Sequence, residues 1–188
     1  MPDPRRQTPL FERLDLAVTI ADIEARCAAV KLALQEMVQR QELLEEALTV
    51  PGRESYGRRL MHRAPDGRYT VVVMSWGPGQ GTPIHDHAGL WCVECVYRER
   101  VRVVSYDLVE ELGEDRVRFK IADEVVARVG EAGALIPPFD FHIIENPFDV
   151  TAVTVHVYGG EMNRCDVFDA QAGGTHLRRS RELQYTTD

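Results

Sequence analysis

Apolar residues recur at three- and four-residue spacing through the first quarter of the chain, at Ile20, Ile23, Cys27, Val30, Leu34, Met37, Val38, Leu43, Leu44 and Leu48. That spacing stacks them on one face of a helix and predicts helical structure from Leu16 to about Val50. Asp22 and Glu24 near its start complement the helix dipole, and Pro51-Gly52 ends the pattern. A break at Gln39 to Gln41 would divide the segment into two helices. After Pro51 come short runs of β-branched and aromatic residues separated by Gly, Pro and Asp, at residues 69–76, 90–97, 101–109, 116–121, 125–129, 134–136 and 152–158. These read as seven or more strands. With no helices between them, they argue for an antiparallel sandwich or barrel closing around a cavity rather than a doubly wound α/β sheet. Beyond Tyr158 the pattern loosens. Gly159-Gly160, Gly173-Gly174 and the basic cluster Arg178, Arg179 and Arg181 predict a strand or two packed on the outside and a frayed end.

A length of 188 residues fits a single domain. We divide it into an N-terminal helical segment (1–50), a β core (51–160) and a C-terminal extension (161–188). The hydrophobic share of 44% and charged share of 28% are those of a globular chain. Lys+Arg 22 against Asp+Glu 30 gives a net charge of −8, a field that repels phosphate polymers and anionic membrane surfaces. Neither nucleic acid nor membrane is therefore an expected partner, and no apolar run approaches the ~20 residues of a membrane-spanning helix. Cys27, Cys92, Cys95 and Cys165 are too few and scattered to staple a secreted fold, and no secretory signal pattern opens the chain, so a reducing cytoplasm is the expected location.

The densest chemical signal is Gly79-Gln80-Gly81-Thr82-Pro83-Ile84-His85-Asp86-His87, a Gly/Pro turn leading into two histidines one residue apart. At a strand start this spacing puts both imidazoles on one side of the pleat, roughly 7 Å apart at the backbone, where they can converge on a transition metal. Taken alone, the pair reads equally well as two solvated loop residues. A second strand and proline turn, Gly133 to Pro138, then presents His142, followed by Glu145 and Asn146. In residues 151–158, period-two alternation sends Val153, Val155 and Val157 to one face and Thr154, His156 and Tyr158 to the other. That polar row faces either solvent or a functional interior, because burying it without hydrogen-bond partners is costly.

The two histidine segments resemble the paired motifs of the cupin superfamily, a small antiparallel, jelly-roll-like β-barrel. Where the usual cupin Glu ligand would stand there is Cys92, and Glu94, two positions on and on the same strand face, could in principle compensate but is out of register for the motif. Six elements in order, Tyr56-Gly57-Arg58, Trp76-Gly77-Pro78-Gly79, Ile84 to His87, Cys92, His142 to Asn146 and the Thr154, His156, Tyr158 row, resemble the thiol dioxygenases of the cysteine dioxygenase type I family. The resemblance implies an enzyme that oxidises L-cysteine with O2 to cysteine sulfinic acid. It implies Fe(II) held by His85, His87 and His142 with no acidic side chain beside them. It also implies that Arg58 pairs with the substrate carboxylate near Tyr56, that Tyr158 stands by the thiolate and oxygen, and that His156 and Thr154 order Tyr158. Cys92 matches the cysteine that some members join to that tyrosine as a thioether.

Several alternatives stay open. Arg58 lies in a basic stretch with Arg53, Arg59 and Arg63, and Arg59 competes for its role. A different small thiol carboxylate, 3-mercaptopropionate, is an alternative substrate, although similar enzymes using it tend to carry Gln where Arg58 stands. A non-catalytic metal-binding cupin module is the rival from another class, and a three-histidine zinc site with an activated water is a further enzymatic one. Cys27, Cys95 and Cys165 read as small core residues, Trp76 and Trp91 as core or pocket rim, and His62 and His176 as surface residues.

Overall fold

The helical segment expected from Leu16 to about Val50 divides before Asp22 rather than only at Gln39 to Gln41, into α1 (Thr8–Ala17), most of which precedes the expected start, and α2 (Ile23–Gln39). These and the strands below come from a computed structural model that describes residues 8–40, 43–113 and 115–187. Asp22 makes the division: its carboxylate accepts a hydrogen bond from Ala25 N at 2.8 Å and caps α2, which a residue inside a continuous helix would not do. The α2 helix ends where the periodic pattern broke, with Arg40 as its C-cap, and Gln41 lies outside the described residues. The rest of the expected helical segment forms only a single 3-10 turn, Glu46–Thr49.

Eleven strands follow among the described residues: β1 (Gly57–Arg63), β2 (Thr70–Trp76), β3 (Ile84–His85), β4 (Cys92–Arg98), β5 (Arg100–Glu111), β6 (Arg116–Arg128), β7 (Ala132–Leu135), β8 (His142–Glu145), β9 (Ala152–Tyr158), β10 (Arg164–Gln171) and β11 (Thr175–Glu182). They build the expected cupin-type, mainly β architecture with antiparallel pairing. One sheet runs β1-β2-β9-β4-β7, and the second, β10-β11-β6-β5-β8-β3, closes on itself because β3 pairs with both β8 and β10.

Three strand readings change. The β1 strand was not expected, because its Arg-rich sequence carries no apolar alternation. The segments 116–121 and 125–129 are one strand, since a register shift opposite β5 between Ser105 and Tyr106 interrupts the period without ending the ladder. The tail is not packed outside the barrel. Its strands β10 and β11 belong to the closed sheet, with Val167 directly opposite His85.

Both faces of the first sheet are buried. Its outer face, with Val71, Val73, Val93, Cys95, Val153, Val155 and Val157, packs under Leu14, Cys27, Val30, Leu34 and Met37 of the helices. Its inner face, with Val72, Met74, Trp76, Cys92, Val96 and Tyr158, meets Val101, Ile144, Met162, Cys165 and Val167. The two-sided burial explains why β2 and β9 are enclosed at every position. His62 is not a free surface residue: its ring stacks on Phe11 with centroids 4.0 Å apart. His176 likewise sets its ring edgewise to Phe119.

Candidate metal centre

The two histidine segments meet because β3 and β8 are neighbours, with His85 directly opposite His142 in the ladder. His87 lies just past β3 rather than at a strand start, and its backbone N–H donates to the Asp140 carboxylate at 3.0 Å instead of to a neighbouring strand. The three rings pack with centroids 4.5 to 5.4 Å apart, and one nitrogen from each lies within 4.8 Å of the others. The turn that launches this hairpin needs Gly79 in the left-handed region, at φ 77°. Asn146 ties that turn to the end of β8. Its side chain donates to Trp76 O and Val150 O, and its backbone exchanges hydrogen bonds with Gly79 and Gln80.

Each imidazole Nδ1 faces an oxygen that can only accept: Pro83 O for His85, an Asp140 carboxylate oxygen for His87 and Asp140 O for His142, each at 3.1 Å. The Nδ1 atoms therefore carry the protons, and the three Nε2 lone pairs are left to converge. Burial, reinforced by the neighbouring imidazoles, holds His85 down to about 3 and His142 well below the usual histidine range. The two are neutral near pH 7, the form in which imidazole ligates a metal. The donor set fits a transition metal ion on chemistry and geometry alike. Asp140, which orients two of the three rings, carried no sequence signal beyond standing two residues before His142.

The polar row of β9 faces the barrel interior. Trp76 Nε1 donates to Thr154 Oγ1 at 2.9 Å, and Thr154 Oγ1 lies 2.7 Å from His156 Nε2. The indole only donates, so the hydroxyl accepts from Trp76 and shares one further proton with His156 Nε2. Burial takes His156 down to about 3 and pushes the Tyr158 phenol well above its usual range, so both are uncharged near neutral pH. Cys92 is the cross-strand partner of Tyr158, and its Sγ lies 4.0 Å from His156 Nδ1.

A small pocket of about 20 Å³ opens beside the histidines, lined among others by Tyr56, Arg58, His156, Tyr158, Cys165 and Arg181. Between Arg58 and Arg59 the geometry discriminates. Arg58 faces this pocket, with Nη2 donating to Met162 O at 2.7 Å, its guanidinium 4.6 Å from the centre of the Tyr185 ring, and Nε buried with no partner. Arg59 does not line the pocket and donates to Val50 O. Tyr56 stacks against Trp76 at the same wall. Arg181, Cys165 and Met162 come from the tail and the loop before it, where sequence patterning pointed to no site.

One expectation is overturned. Glu94, set aside as out of register, brings Oε2 to 3.8 Å from His142 Nε2 and 3.5 Å from His156 Nδ1, so an acidic side chain does stand beside the histidines. Its register is wrong for the motif, but β4 pairs with β9 so that Glu94 lies opposite His156 on the inner face. Burial pushes its carboxyl up to about 7.

Cysteine dioxygenase type 1 of Rattus norvegicus is 23% identical over 119 residues, which cover 63% of this chain and 58% of the relative. The Homo sapiens enzyme is 24% identical over the same shares. The chain thus spans less than two thirds of the length of the curated relatives it matches. Among solved structures, a protein from Thermus thermophilus aligns with a TM-score of 0.49 at 18% identity, over 63% of this chain and 97% of its own. A cupin 2 conserved barrel domain protein from Salinispora arenicola aligns with a TM-score of 0.44 at 17% identity, over 62% of this chain and 84% of its own. The family profile for cysteine dioxygenase type I matches residues 25–171, from within α2 to the end of β10. That span takes in both histidine segments and the β9 row between the two flanking strands, and it places the chain in the cysteine dioxygenase type I family.

Proposed function

We propose that this chain is a non-haem Fe(II) thiol dioxygenase that converts L-cysteine and O2 to cysteine sulfinic acid. The carrying observation is that three imidazole nitrogens converge on one wall of a pocket whose opposite chemistry is a buried guanidinium, Arg58. Ferrous iron held by His85, His87 and His142 would supply Lewis acidity that lowers the pKa of a thiol and a centre at which oxygen can react. The overall change balances without a further reductant: sulfur loses four electrons, O2 gains four, and both oxygen atoms end on sulfur.

The chain's own residues bind and orient. Arg58 keeps one nitrogen on Met162 O and has a buried, unpartnered Nε to offer a carboxylate. A planar, permanently charged group held by backbone and ring contacts can fix that carboxylate at little further entropic cost. Tyr158, kept as a neutral phenol, presents an O–H donor towards the pocket, and the Trp76, Thr154, His156 series holds the neighbouring imidazole in place. The apolar lining of Met74, Ile144, Met162 and Val167 excludes bulk water from a small substrate. A Cys92–Tyr158 thioether, formed by loss of two hydrogens with O2 as oxidant, fits their cross-strand pairing.

The test is oxygen uptake by the ferrous protein with L-cysteine, 3-mercaptopropionate and cysteamine in parallel. L-cysteine should be oxidised with the highest kcat/KM, and Arg58→Ala should raise KM for the two carboxylate-bearing thiols far more than for cysteamine. No thiol-dependent uptake would refute the proposal, and preference for 3-mercaptopropionate would move the substrate assignment. Intact mass lower by two hydrogens would report the thioether.

A further inference from the structure

We infer that Glu94 is the counter-charge of the metal centre, its carboxylate compensating a dipositive ion held on the three Nε2 atoms. The inference rests on reading those histidines as a metal site and adds a fourth, acidic member that the family pattern does not contain. The position is enforced by the fold: Glu94 lies on the inner face of β4, opposite His156 on β9, and is 8% exposed.

The contact with His142 carries the argument. His142 donates through Nδ1 to Asp140 O, so its Nε2 is a bare lone pair. The Glu94 Oε2 atom, 3.8 Å away, is also an acceptor, fully enclosed and without any hydrogen-bond partner. With Glu94 ionised, as at pH 8, two acceptors thus face each other across this gap, and a cation held between them satisfies both. Among the described residues no Lys or Arg takes that place. Among the described residues, the basic side-chain nitrogens within ion-pair distance of Glu94 are those of His142 and His156, and the His156 contact, at 3.5 Å, is too long for more than a weak hydrogen bond. Beyond Glu94 lies a second cavity of about 480 Å³ lined largely by aliphatic side chains such as Val96, Val101, Val103 and Leu135. A buried charge left in this state opposes folding, whereas the same charge beside a metal ion lowers the net charge of the centre from +2 to +1.

Opposite signs of effect in the metal-free and metal-bound protein make the inference testable. Co2+ affinity at pH 8 is measured by chelator competition for the wild type, Glu94→Gln, Glu94→Asp and His142→Ala, alongside urea unfolding of each metal-free protein. Glu94→Gln should bind Co2+ about 10- to 100-fold more weakly. Metal-free Glu94→Gln should be at least as resistant to urea as the wild type, because an unpaired buried charge has gone. Glu94→Asp, which keeps the charge, should lose less affinity than Glu94→Gln, and His142→Ala should lose binding altogether. Affinity of Glu94→Gln within twofold of the wild type would overturn the inference while leaving the metal site intact. So would equal losses in the Asp and Gln variants, or a Gln variant that fails to fold or unfolds more readily without metal. A wild type that binds no Co2+ would remove the metal reading itself, and this inference with it.

Discussion

Asp140 is the residue on which the geometry of the metal centre can be tested most sharply. Its Oδ2 accepts from His87 N at 3.0 Å and from His87 Nδ1 at 3.1 Å, in surroundings that leave Asp140 only 3% exposed. Asp140→Ala removes this shared acceptor and leaves two buried donors unpaired, each costing about 1–3 kcal/mol, so the metal-free protein should lose about 2–6 kcal/mol of stability. The ring of His87 would also be free to rotate or change tautomer. Loss of such an orienting partner typically weakens metal binding about 10- to 100-fold. Asp140→Asn keeps one acceptor oxygen and the side-chain volume, and should fall between wild type and Ala on both measures. The adjacent Phe139, 83% exposed, provides a control: Phe139→Ala should change neither. Urea unfolding gives the stability term and chelator competition with Zn2+ gives the affinity. If Asp140→Ala is destabilised yet binds Zn2+ within twofold of the wild type, the claim that Asp140 sets the ligand geometry is wrong.

The remaining predictions probe other layers of the molecule. Leu34→Ala, at a fully buried position of α2, should cost about 2–5 kcal/mol in urea unfolding while leaving metal affinity unchanged, since the helices pack on the outer face of the sheet. In Gly159→Ala the new Cβ would fall 2.2 Å from Trp91 Nε1, so the indole must move. A loss of about 1–3 kcal/mol with a shift in tryptophan emission is expected, and an unchanged thermal midpoint would contradict the packing. Acid should destabilise the metal-free protein. His85 and His156 are held down to about 3, below the ordinary 6.5, so the unfolded chain binds protons that the folded one refuses. Their contribution is complete above pH 6.5 and is lost as pH falls towards 3, at up to about 1.4 kcal/mol per pH unit for each imidazole. A flat unfolding free energy between pH 6.5 and 4 would refute neutral burial.

What could be read from one dimension was what local periodicity and residue chemistry record. The three-and-four spacing marked the helical segment, the β-branched runs marked most strands, and the Gly/Pro turns carrying His85, His87 and His142 marked the candidate ligands before any contact was known. The Thr154, His156, Tyr158 alternation placed those side chains on one face, although whether that face met solvent or the interior was undecided until helices on one side and the barrel on the other enclosed β9. Arg58 and Arg59 are adjacent and chemically identical. The pairing of β1 with β2 sends them to opposite faces, and only the fold decides which one meets the pocket. Asp140, Arg181 and Glu94 reach the site through contacts between segments far apart in the chain, which leave no trace in local spacing. Sequence determines which groups are available and which way they alternate. Tertiary structure decides which of them share a volume, because burial, charge compensation and hydrogen-bond partners are properties of distance through space.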